Sequence, residues 1–127
     1  MSPRAKELSE SLRREIDSLV SQGWSFERRR SWLLDQLDNY LDRWLGFAAL
    51  GVPMKSLLRD DLFIMLVVGA EMYSSEVMTE TFAEEPSTWT SFISLIAEVR
   101  ERGDTVAFSK LRDALTQVRN DTLPKPG

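Results

Sequence analysis

Neither cysteine nor histidine occurs anywhere in the 127 residues. The first absence excludes disulfide scaffolds, thiol nucleophiles, zinc fingers and iron–sulfur sites. The second excludes Ser-His-Asp triads, histidine-ligated metals, haem on a proximal histidine and imidazole pH switching. Lysine stands only at positions 6, 55, 110 and 125, and no serine sits in a nucleophile-elbow motif. Glycines are dispersed singly or at helix ends, so there is no glycine-rich loop to cradle a phosphate. The longest apolar run, Leu62 to Ala70, is fenced by Asp60, Asp61 and Glu71. It falls far short of the roughly 20 residues of a membrane span and reads as a buried core segment. No signal-peptide core and no lipidation motif is present, and the chain reads as cytoplasmic, off the membrane. What remains is the chemistry of Asp, Glu, Lys, Arg, Tyr and Ser, or none. The inventory points to a protein that is not an enzyme and carries no cofactor or metal.

Hydrophobic residues make up 43% and charged residues 28%, too apolar for a disordered chain. The length fits one domain. Leu8, Leu12, Ile16, Leu19 and Val20 recur at helical spacing, opened by Ser2 and Pro3 and closed by Gly23. A second stripe runs through Leu33, Leu37, Tyr40, Leu41, Trp44 and Ala48 to Gly51 and Pro53. Its start has two candidate caps, Ser25 and Ser31. The first would set Arg28, Arg29 and Arg30 near the positive end of the helix dipole. The third segment, 54–82, is apolar on every side between Leu62 and Val68. As one straight helix it would reach about 45 Å, against about 36 Å for a compact domain of this size. It must break near 59–61 or beyond Gly69, or else project into a second copy. Ser87 and Asp104 are set to cap two final helices separated by Gly103. The expectation is an all-α, single-domain bundle of five or six helices around a central apolar helix. It occupies residues 1–121, with 122–127 as a flexible tail.

Charge is segregated. Residues 60–99 hold eight carboxylates and no basic residue, while the stretches on either side each carry a slight excess of cations. Glu76, Glu80 and Glu84 recur every fourth residue, with Glu85 beside them. Like charges at that spacing cost a few tenths of a kcal/mol per pair, so helix stability does not account for them. An acidic ridge of this kind suits docking on a basic partner, because complementary potentials speed encounter. A second candidate contact patch is Arg28, Arg29, Arg30 and Trp32, since tryptophan and arginine are the residues enriched at binding hot spots.

Two other readings compete. Residues 88–119 form a helical pair whose last helix, with Arg100, Arg102, Lys110, Arg112 and Arg119, would be the recognition element of a helix-turn-helix. Against it, the pI is near 4.9, and the usual Ala followed four residues later by Gly is missing. Asp35, Asp38 and Asp42 share a helix face and would suit Mg²⁺ in a hydrolase. That resembles the all-α nucleotide pyrophosphohydrolases in outline, but their paired acidic motifs are missing: Glu98 and Glu101 straddle a helix end, with Asp104 beyond it. The leading expectation is a non-enzymatic protein-binding module of inhibitor, immunity or adaptor type. It would dock on a basic partner through Glu76, Glu80, Glu84 and Glu85, with the arginine–tryptophan patch as a second contact. A homodimer is a further option.

Overall fold

A computed structural model describes residues 2–81 and 87–122. The fold is all-α, with six helices among the described residues: α1 (Pro3–Ser21), α2 (Phe26–Ala49), α3 (Met54–Leu57), α4 (Asp61–Thr81), α5 (Ser87–Arg102) and α6 (Val106–Thr122). None of the described helices is long and apolar enough to cross a membrane. The helices fall into two compact units, Met1–Phe82 and Ala83–Gly127, and each is described in turn.

In the first unit the helix limits follow from local chemistry. Ser2 accepts a hydrogen bond from the Ala5 amide at the start of α1. At its end Gly23 takes φ +82°, its amide donates to the Val20 carbonyl, and Trp24 donates to Leu19. The same pair of bonds closes α2, with Gly51 at φ +84° donating to Ala48 and Val52 to Phe47. Both glycines occupy a left-handed conformation that strains any other residue. The long third segment breaks at 58–60, and the Asp60 carboxylate accepts from the Leu62 amide to begin α4. That break leaves α4 about 32 Å long, within the reach of a compact domain.

α4 is the central helix of this unit, flanked by α1 and α2. Leu33, Leu34, Leu37, Leu41 and Trp44 of α2 are buried, as are Phe63, Leu66, Val68, Ala70, Met72, Tyr73 and Val77 of α4. Trp44 stacks on Phe63, ring centroids 4.9 Å apart, and its indole donates to the Leu57 carbonyl at 2.9 Å. A Cβ on Gly69 would stand 2.8 Å from Leu37 Cδ2 and 3.8 Å from Leu12 Cδ2, so the missing side chain sets how closely α4 meets its neighbours. α1 contributes only Leu12 and Ile16 to the core. Leu8 and Leu19 are half-buried, and Val20, expected on the apolar stripe, is 51% exposed. Val20 lies in the last turn before Gly23, where the chain turns away from the core.

The second unit is a helical hairpin. Trp89, Phe92, Ile96 and Val99 of α5 pack with Ala107, Leu111, Leu115 and Val118 of α6. Ser87 is already helical in α5, and so is not the cap expected from the sequence. Asp104 does cap α6, accepting from the Val106 amide at 2.9 Å. Thr122 belongs to α6, although the sequence places it in the tail; the remaining tail residues, 123–127, lie outside the described residues.

Candidate functional site

Ser25 settles the start of α2. Its hydroxyl accepts from the Arg28 amide at 3.2 Å, which puts all three arginines in the first turns, where a helix dipole disfavours cations. Each cation is met locally. Arg28 lies 3.6 Å over the Trp24 ring and Arg30 lies 5.4 Å from the centre of Phe26. Arg29 donates through Nη1 to the Trp24 carbonyl at 2.8 Å. Aromatic faces and a carbonyl thus supply the negative potential that the helix end lacks. Trp32 follows Arg28 by one turn and is half-buried, so Trp24, Arg28 and Trp32 form a stripe that reaches solvent.

Of the expected acidic ridge, Glu76 can be placed. It accepts a hydrogen bond from Arg13 Nη1 of α1 at 2.8 Å and keeps only 23% of its side chain exposed. The side chain of Glu80, and the whole of Glu84 and Glu85, lie outside the described residues. Glu76 does meet the other predicted patch. A small cavity between α1, α2 and α4 is lined by Ile16, Phe26 and Leu33, by Tyr73 and Val77, and at its polar edge by Arg29, Arg30 and Glu76. Its free volume of about 10 Å³ is the scale of one water molecule. Two residue sets far apart in sequence therefore share one site. Tyr73 and Val77 were not singled out by sequence; their i, i+4 spacing beside Glu76 was the available signal.

The competing sites assemble less well. Among the described residues no three carboxylates gather in a way that could hold a metal ion. Asp35 and Asp42 are exposed and Asp38 half-buried along α2. In the second unit Thr88 Oγ1 donates to Asp121 at 2.7 Å, tying the start of α5 to the end of α6. Helices of this length crossing at a right angle would separate those ends by about 35 Å. α5 and α6 are therefore an antiparallel hairpin, not a helix-turn-helix. Arg100, Arg102 and Lys110 are exposed on it, while Arg112 and Arg119 are half-buried. No charged or polar residue among the described residues is buried as a whole, although the Nε of Arg29 is buried.

Comparison with family models, with curated proteins and with solved structures returned no match.

Proposed function

We propose that the chain is a non-enzymatic protein-binding module, of inhibitor, immunity or adaptor type, that docks on a partner with a basic surface. The reading rests chiefly on one observation: Arg29 and Arg30 of one predicted patch and Glu76 of the other line the same cavity. A contact face built this way offers carboxylates for steering and an arginine–aromatic stripe for short-range packing. The acidic stretch 60–99 supplies the long-range attraction, and Trp24, Arg28 and Trp32 supply the contact.

The test is affinity capture from the source organism with the wild-type chain and with Glu76→Lys/Glu80→Lys/Glu84→Lys. The reading expects a partner retained by the wild type and lost by the variant, with weaker retention as salt rises. A partner held equally by both would remove the acidic contact from the account.

A further inference from the structure

The acidic edge of α4 already meets two arginines, and they come from the chain itself, on a helix whose four cations are balanced by four carboxylates. Arg4 of α1 holds Asp61 at the start of α4 through two hydrogen bonds, 3.1 Å from Nε and 2.6 Å from Nη2. Arg13 holds Glu76 further along. Between these two ion pairs Leu12 lies over Gly69. α1 therefore runs parallel to α4 with an arginine, an apolar row and a second arginine matched to a carboxylate, an apolar strip and a second carboxylate.

This occupant is loosely held. Only Leu12 and Ile16 of its nineteen residues are buried apolar anchors. The Arg4–Asp61 pair is half exposed on both sides, the kind of ion pair that contributes little and is screened by salt. A groove of about 550 Å³ opens along the seam, lined by Glu10, Arg13 and Arg14 from α1 and by Val68, Glu71 and Met72 from α4. α2, in contrast, meets α4 through five buried side chains, including the Trp44–Phe63 stack. Segments with few buried contacts open at lower free energy than the rest of a fold.

We propose that α1 is a displaceable, intramolecular occupant of the acidic face of α4, and that the partner docks there with a basic amphipathic helix that places arginines where Arg4 and Arg13 stand. This rests on the proposed function, from which it takes the basic partner. It adds the partner's form, a helix with arginines bracketing an apolar row, and a regulatory step, the release of α1.

The experiment uses a fluorescent peptide of residues 2–22 as the probe and the full chain as receptor, either wild type or Arg4→Glu/Arg13→Glu. The double variant repels its own α1 from Asp61 and Glu76, so it is expected to bind the peptide at least tenfold more tightly than the wild type. A folded variant that binds no more tightly overturns the proposal. Native-state hydrogen exchange of the wild type provides a reading independent of how the variant folds. Amides of 6–21 are expected to exchange ahead of those of 63–73, by a margin that widens with added salt; equal protection overturns it. A dimer of the variant alone, seen by light scattering, would assign the face to a second copy and overturn the partner assignment. Because the probe is the chain's own helix, its failure leaves the capture result standing, and a failed capture leaves the exchange of α1 standing.

Discussion

Trp44 is wholly buried, and its indole still needs an acceptor, which the Leu57 carbonyl provides at 2.9 Å. Trp44→Phe removes that bond and leaves the Leu57 carbonyl with the Asp60 amide at 3.3 Å, so the expected loss in urea denaturation is about 1 kcal/mol beyond the packing lost. Gly69 sets two effects against each other. Alanine there gains about 1 kcal/mol of helix propensity and presses on Leu37, so Gly69→Ala should come out near neutral. Gly69→Val adds two methyl groups to the same contact and should destabilise by about 1–3 kcal/mol in the same measurement. Asp61 carries a prediction with a definite sign. The Arg4 guanidinium hydrogen-bonded to it holds its pKa below the ordinary 3.8, so its contribution is present above that value and is lost as pH falls through the lowered one. An NMR titration should find the Asp61 pKa rising toward 3.8 in Arg4→Ala; an unmoved value would remove the ion pair from solution. At this scale the sequence was legible where burial decides, as at Trp44 on its apolar stripe, which is fully buried. Arg13–Glu76 was not legible, because the partners stand 63 positions apart and nothing local joins them.

The helices show why starts and stops were easier to read than partners. Gly23 and Gly51 end their helices through backbone geometry that glycine alone adopts without strain, so the residue announces the structure. Ser25 and Ser31 could not be separated by dipole arguments alone. The deciding interactions were the stacking of Arg28 on Trp24 and of Arg30 on Phe26, which offset an unfavourable position for cations. Ser25→Ala should therefore cost about 1 kcal/mol, while Ser31→Ala should cost almost nothing; comparable costs would contradict the assigned start of α2. Val20 shows the limit of periodicity. It keeps helical register with Leu12 and Ile16 yet is mostly exposed, because α1 extends past the surface it packs on.

For the whole molecule, composition and period were enough to establish an all-α chain with a central apolar helix, since the segments around the uniformly apolar third one repeat at helical spacing. The site was legible only as two separate patches. Their meeting at one cavity depends on how α2 lies against α4, which no local pattern encodes. On the proposed function, the interior only folds and the exterior binds. Leu37, wholly buried, and Trp32, half-buried beside the arginines, sit on opposite sides of that division. The most direct test compares Trp32→Ala with Leu37→Ala for both captured partner and thermal midpoint. Trp32→Ala should lose at least tenfold in partner binding while its midpoint falls by no more than about 4 °C, the shift of roughly 1 kcal/mol. Leu37→Ala should lose about 2–5 kcal/mol of stability and bind normally wherever it is still folded. Binding and midpoint falling together in Trp32→Ala, or full binding without Trp32, would contradict it.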